Sequence, residues 1–193
     1  MNPISPTEIM SKQEYARRRG DMRRLIMALK AKRRVPLGDH ATLHFETWDT
    51  MYYQVLEMLR AEDSWERPDA IEEELEAYNP LIPAGHELSA TLFLEYETPE
   101  ERSRRLQDLL GIDDHLWLEV GDAEPLLARF DQAQVSPTRV SSVQYVTWPI
   151  DSERARLIAS DGTVVRVRID HPAYHAQAVL SEETRKEIAR DLE

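Results

Sequence analysis

Cysteine is absent from the 193 residues, which excludes disulfides, thiol redox chemistry, Cys-ligated zinc and the ordinary iron–sulfur clusters. Glycine is scarce. The six present form neither a dinucleotide fingerprint nor a phosphate-cradling loop, and no Gly-x-Ser-x-Gly elbow occurs. No Glu stands three positions before a histidine, so the Glu-x-x-His pairs of di-iron carboxylate bundles are missing as well. His86-Glu87-Leu88-Ser89-Ala90 opens like a zinc-protease helix, but Ala90 stands where the second histidine is required. Long apolar runs are lacking too. Uncharged stretches are no longer than the eleven residues Val140–Ile150, well short of a membrane span. Residues 1–10 have no basic region followed by an apolar block, so no secretory signal is visible and a cytoplasmic location is expected.

What is present describes a folded α+β protein. Apolar residues make up 41% of the chain, too many for a disordered one, although charged residues reach 31%. Ser11-Lys12-Gln13-Glu14 reads as a capping box, and Tyr15, Met22, Leu25, Ile26 and Leu29 form an apolar stripe behind it. The spacing predicts one long basic helix over 12–33, ended by Pro36 and Gly38. Alternation predicts a strand at 42–46. Residues 49–62 return to helical spacing, with Met51, Tyr52, Val55, Met58 and Leu59 on one side and Tyr53, Glu57 and Arg60 opposite. A short acidic helix follows over 69–78.

His86 to Glu97 alternates most clearly, with Leu88, Ala90, Leu92, Leu94 and Tyr96 on one face and Glu87, Ser89, Thr91, Phe93 and Glu95 on the other. Thr98-Pro99-Glu100-Glu101 opens a helix that Gly111 closes. Further strands are predicted at 115–120, 143–148, 163–169 and 174–180, with a short helix from Ser152 and a last helix capped by Ser181. The order is not a regular βαβ repeat, so mixed or antiparallel sheets packed with several helices are expected. Residues 1–193 are read as a single α+β domain. The alternative organisation is a smaller C-terminal lobe at 140–193, with 121–139 (Gly121, Pro125, Pro137) as its joint.

Charge is unevenly placed. Residues 1–34 carry ten Lys+Arg against three Asp+Glu, a balance of +7, while the remainder holds 14 against 33, or −19. The first helix is expected to pack against the acidic segment 57–76 of its own chain or of a second subunit. An acidic protein partner is the next candidate. Nucleic acid is disfavoured, because the acidic remainder repels phosphates over a wide area.

Three constellations offer chemistry. His44 and Glu46 share a strand face, with His40 just upstream, and such a pair can give two ligands to a divalent metal if Glu57, His86 or Glu87 completes the set. Glu87, Ser89 and Thr91, with Glu95 beyond, line one strand face. A covering helix would desolvate Glu87 into a general base, but an open, wet face is the favoured reading. His171-Pro172-Ala173-Tyr174-His175 places two imidazoles and a phenol on one turn. The four tryptophans, Trp48, Trp65, Trp117 and Trp148, are scattered, as core and interface residues are.

Several stretches resemble a bacterial family of proteins of unknown function: Phe45-Glu46 with Asp49-Thr50, Gln54, residues 57–62, Tyr78-Asn79-Pro80-Leu81-Ile82-Pro83, residues 87–92 and Asp170-His171-Pro172-Ala173-Tyr174. Members of that family tend to be encoded beside rubrerythrin-like proteins and iron–sulfur proteins of the heterodisulfide-reductase type. The resemblance therefore implies a role near peroxide or oxidative-stress handling, which, without cysteine, would be exercised through a partner or a His/carboxylate-bound metal. It also includes polar residues that packing alone does not require: Glu46, Gln54, Glu57, Arg60, Asn79 and Glu87. These converge on one pocket if the strands near 44 and 90 adjoin behind a helix. Two functions are expected on this basis: a non-enzymatic accessory protein that docks on a redox partner or a second copy, and, alternatively, a metal-dependent or carboxylate-based enzyme with a small Glu/His/Arg pocket. Neither identifies a cofactor.

Overall fold

The alternation of the strand segments builds two antiparallel sheets. The computed structural model describes residues 2–131 and 138–193, so 132–137 of the expected joint, Pro137 included, lie outside the described residues. The first sheet runs in the order β1 (Arg34–Leu37), β2 (Ala41–Phe45), β3 (Glu87–Leu94), β7 (Val143–Pro149), β6 (Arg129–Phe130). The second runs β5 (Leu126–Leu127), β4 (Leu116–Val120), β8 (Val165–His171), β9 (Tyr174–Val179). Helices α1 (Lys12–Arg33), α2 (Trp48–Ala61), α3 (Ala70–Tyr78), α4 (Pro99–Asp108), α5 (Ser152–Ala159) and α6 (Glu182–Ala189) complete the α+β fold expected from the sequence. No helix of the described residues is long and apolar enough to cross a membrane.

The 140–193 segment is divided between the two sheets. Its β7 pairs with β3 and β6 in the first, and β8 pairs with β4 in the second. Leu43, Phe45, Leu88, Leu92 and Trp148 from the first sheet meet Leu116, Leu118, Val165, Val167 and Ile169 from the second in one apolar cluster. Burial of each such side chain contributes about 1.5–3 kcal/mol.

The sheets are joined along both sides. On one, β5 and β6 are consecutive pieces of one extended segment that leaves the second sheet for the first at Ala128, whose N–H donates to the Leu116 carbonyl. On the other, the Tyr174 hydroxyl of β9 donates to the Leu37 carbonyl at 2.5 Å and accepts the His40 N–H at 3.1 Å, tying β9 to the β1–β2 turn. Gly38 makes that approach workable: its φ is +69°, and a Cβ there would lie 2.8 Å from the Tyr174 oxygen. Tyr174→Phe is expected to lower unfolding free energy by about 1 kcal/mol in urea titration. Unchanged stability would show that the seam does not depend on the hydroxyl.

Several local expectations are corrected. Pro36 does not merely end α1; it sits in β1, an edge strand opposite Thr42, where its missing N–H is tolerated. Ser11 caps α1 by accepting the Glu14 N–H, but Glu14 turns its carboxylate to Arg18 at 3.0 Å instead of closing the capping box. On α2, Tyr53, placed opposite the apolar side, is buried with Leu56 against Tyr15 and Ile26 of α1. A helix held between a neighbour and a sheet loses its single-faced pattern. Leu25, assigned to the buried stripe of α1, is 68% exposed.

Candidate functional site

The outer face of the first sheet, under α2, is where polar residues gather. His44 pairs with Thr91 and Phe45 with Ala90, so the strands near 44 and 90 are neighbours as expected. The register continues as the Glu46 N–H donates to the Ser89 carbonyl. Ser89 is paired in turn with Thr147, and Thr147 with Arg129. One row across four strands therefore reads Glu46, Ser89, Thr147, Arg129. The next reads His44, Thr91, Tyr145 and Asp131, the last joined by its N–H to the Tyr145 carbonyl. Directly opposed side chains on one sheet face stand about 4.5–5.5 Å apart at Cβ, so eight polar residues form a continuous patch.

Most of the patch is covered. Ser89 and Thr91 are buried, so the open, wet face expected from the sequence is not what folds. The reason is α2, whose Thr50 donates to Glu46 Oε2 at 2.7 Å while Thr91 donates to Oε1 at 2.6 Å. Glu46 is 5% exposed and has no ion-pair partner among the described residues. Tyr145 lies between Glu46, Asp131 and Tyr78, and its hydroxyl pKa is raised by burial and then by those acidic groups. Tyr78, at the end of α3, is raised likewise by burial, against a hydrogen bond from Gln54 that lowers it. Glu46, Gln54, Ser89 and Thr91 thus meet with three residues the sequence reading did not assign to a site: Thr50, Tyr78 and Tyr145. Thr50 and Tyr78 stood inside the stretches that carried the family resemblance. Tyr145 alternates within its strand, but only the β3–β7 register brings it to Glu46.

The other candidates lead elsewhere. Glu57 points to α1, where Arg19 grips it through two bonds of 2.7 and 2.8 Å and the Tyr15 hydroxyl donates to it. The Arg19 guanidinium is the main reason its carboxyl falls to about 2. Arg60 is exposed. Asn79 pins the N-terminal segment, accepting the Ile4 N–H at 2.8 Å and donating to the Ile4 carbonyl at 3.0 Å. Glu87 accepts the Ala84 N–H at 3.1 Å, closing the loop before β3. Glu95 takes the Thr42 hydroxyl at 2.7 Å, and His40 stacks on Tyr96 at 4.9 Å.

The histidines have structural duties. His44 meets the edge of Phe93, and burial, then Arg34 and Lys30, push its pKa down to about 4. Both nitrogens of His171 are used, Nε2 donating to the Leu110 carbonyl at 3.0 Å and Nδ1 accepting the Ala173 N–H at 3.1 Å. His86 and His175 are exposed, and the Tyr174 hydroxyl belongs to the seam. Among the described residues, no three His, Asp or Glu side chains are arranged to hold a metal ion.

Charge on α1 is largely spent within the chain. Lys12 and Arg19 pair with Asp63 and Glu57 in the acidic segment, as expected. Lys32 and Arg33 turn instead to the C-terminal end, pairing with Glu183 and with Glu187 and Asp191. Arg17, Arg23 and Lys30 have no carboxylate partner among the described residues.

Comparison with known proteins adds identity without activity. A crystal structure of a novel protein of unknown function from Burkholderia pseudomallei is 30% identical, covers 100% of both chains and superimposes with a TM-score of 0.92. No curated protein matches. Residues 3–192 match the family described as protein of unknown function (DUF3501). The resemblance read from residues 45–92 and 170–174 is therefore to the right kind of protein, and the chain belongs to the DUF3501 family of proteins of unknown function.

Proposed function

We propose that the protein is a non-enzymatic accessory factor that docks an acidic redox protein on the basic, outward side of α1. The observation that carries this reading is Leu25, 68% exposed in the segment whose balance is +7. It stands over a mainly apolar groove formed with Met22, Ile26, Leu29 and Tyr52, with Asp49 at its edge. A large exposed apolar side chain on a helix rich in cations fits an acidic surface with an apolar anchor. On the same side of α1, Arg18 and Lys32 stand seven residues to either side of Leu25, and Arg17, a little further round the helix, has no carboxylate partner among the described residues. The −19 balance lies on the rest of the chain. Beyond about 8–10 Å its repulsion is screened at physiological salt.

The partners expected from the family resemblance are rubrerythrin-like proteins and iron–sulfur proteins of the heterodisulfide-reductase type, which would place the protein near peroxide handling. Without cysteine it cannot hold an iron–sulfur cluster on its own thiolates, so a redox role would be exercised through such a partner. Titration against each purified, metal-loaded partner at low salt is expected to give a complex that weakens as salt rises. Leu25→Glu should weaken it by about tenfold or more, with unchanged stability, because the side chain is not part of the core. Absence of a complex with both partners, or self-association in their place, would overturn the reading.

A further inference from the structure

We propose that the polar row beneath α2 binds the ammonium group of a small primary amine. The inference is independent of the docking surface on α1 and rests on two unmet requirements at one place. The first is the Glu46 carboxylate. It is 5% exposed, and each of its oxygens receives only one hydroxyl, from Thr50 and Thr91. A carboxylate offers about four lone-pair positions, so acceptor capacity remains. The nearby cation, Arg33, does not supply it: its guanidinium bonds the main-chain carbonyls of Phe45 and Glu46 and the Asp191 carboxylate. A buried carboxylate with no cation beside it is costly, and a cation carrying N–H donors offsets that cost.

The second is Ser89. It is 2% exposed, stands directly across the strand pair from Glu46 on the same face, and its Oγ has no hydrogen-bond partner. Buried hydroxyls are rarely left so, and one on the same sheet face, directly across the strand pair from an under-satisfied carboxylate, points to a shared ligand.

The chemistry of the surroundings selects ammonium. Three N–H donors of an ammonium match Glu46, Ser89 Oγ and the acceptor lone pairs of Thr91. Tyr145, half-buried and directly across the strand pair from Thr91, adds an aromatic ring of the kind that attracts cations. A divalent metal would need further anionic or imidazole ligands, and the described residues arrange no three of them. The amine could be free or part of an α-amino acid. Arg129, at the far end of the row, stands three strand spacings from Glu46, about 14 Å.

Calorimetric titration of the full chain with n-butylammonium chloride and with alanine tests the site, with sodium butyrate and potassium chloride as controls. Saturable one-to-one binding of butylammonium alone identifies a simple amine, and binding of alanine an amino acid; either supports the proposal. Glu46→Gln, which keeps the shape and removes the charge, should weaken binding by about tenfold or more. Ser89→Ala should weaken it by about threefold to tenfold, yet leave the thermal midpoint without amine equal to or above that of the unaltered chain, because a lone buried hydroxyl is gone. This second variant keeps the test decisive if Glu46→Gln does not fold. Three results would overturn the proposal: no saturable heat from either amine, uptake that is unsaturable and lost with salt, or unchanged affinity in Ser89→Ala.

Discussion

Arg33→Met is expected to lower the unfolding free energy by about 3–5 kcal/mol, the largest effect of any single polar replacement in this chain. Arg33 is the last residue of α1 and is 1% exposed. Its Nε donates to the Phe45 carbonyl at 2.9 Å and its Nη2 to the Glu46 carbonyl at 2.9 Å, so it closes the end of β2 just where the chain turns into α2. The same guanidinium pairs with Asp191 and lies 3.6 Å from Glu187. One side chain therefore holds the end of α1, the end of β2 and the C-terminal turn together. Burial raises the Asp191 pKa even though Arg33 and a hydrogen bond from Thr47 lower it, so this carboxylate depends on its partners. Methionine fills similar volume but strands Asp191 and two carbonyls at once.

Urea unfolding should move to lower midpoint with little change in slope. The thermal midpoint should fall by roughly 6–20 °C for a chain of this length. Arg33→Met combined with Asp191→Leu should recover part of the loss, since replacing both members of a buried pair removes the orphaned charge. A double variant no more stable than the single one would show that the main-chain carbonyls, and not Asp191, carry the cost.

The elements with strong local signals were legible in the sequence, and the contacts between them were not. Ser11 and the spacing behind it gave α1 its limits, and the alternation from Leu88 to Leu94 gave β3 its faces. Leu25 and Tyr53 went wrong for one reason: apolar spacing states what a helix can bury, while its neighbours decide what it does bury. Both lie on helices whose partner faces come from elsewhere in the chain. Strand β1 was hidden because Pro36 and Gly38 read as a helix stop, and a four-residue edge strand has too few positions to show a period. Strands β5 and β6 have two residues each and show none.

The site divides the same way. Glu46 and Ser89 were singled out from their own strands, but their adjacency depends on the β2–β3 register, and the place of Tyr145 on β7, which begins 49 residues after β3 ends, depends on the β3–β7 register. Glu57, Asn79 and Glu87 carried equal weight as polar residues in resemblance-bearing stretches. In the fold they serve α1, the N-terminal segment and a loop, duties that a sequence pattern does not distinguish from ligand binding.

Acidification from pH 7 to pH 4.5 is expected to remove about 2 kcal/mol of stability, with His44 as the principal titrating group. Its pKa falls from 6.5 to about 4 because burial under the end of α1 and the charges of Arg34 and Lys30 disfavour the imidazolium, against a weaker opposing pull from Glu95. In the unfolded chain the same imidazole titrates near its ordinary value. Between about 6.5 and 4 the unfolded state therefore binds the additional proton, and stability present above that range is lost as pH falls through it. The full shift corresponds to about 3 kcal/mol, which partial solvent access to the ring reduces to about 2. The Asp191 carboxyl, raised by burial, acts in the opposite sense, because the folded state takes up its proton first. Carboxylates held low add their loss only later. Glu57, drawn down to about 2 by Arg19, and Asp170, where bonds from His115, Arg168 and Trp117 outweigh burial to give about 2, weaken the fold chiefly below their ordinary values. His44→Gln keeps a half-buried polar side chain over Phe93 but cannot titrate. Urea unfolding of this variant should show a markedly shallower loss between pH 7 and pH 4.5, with the slope below pH 4 unaltered. A variant as acid-sensitive as the parent through the upper window would assign the titration to another group and remove the argument that burial, with Arg34 and Lys30, keeps this ring neutral.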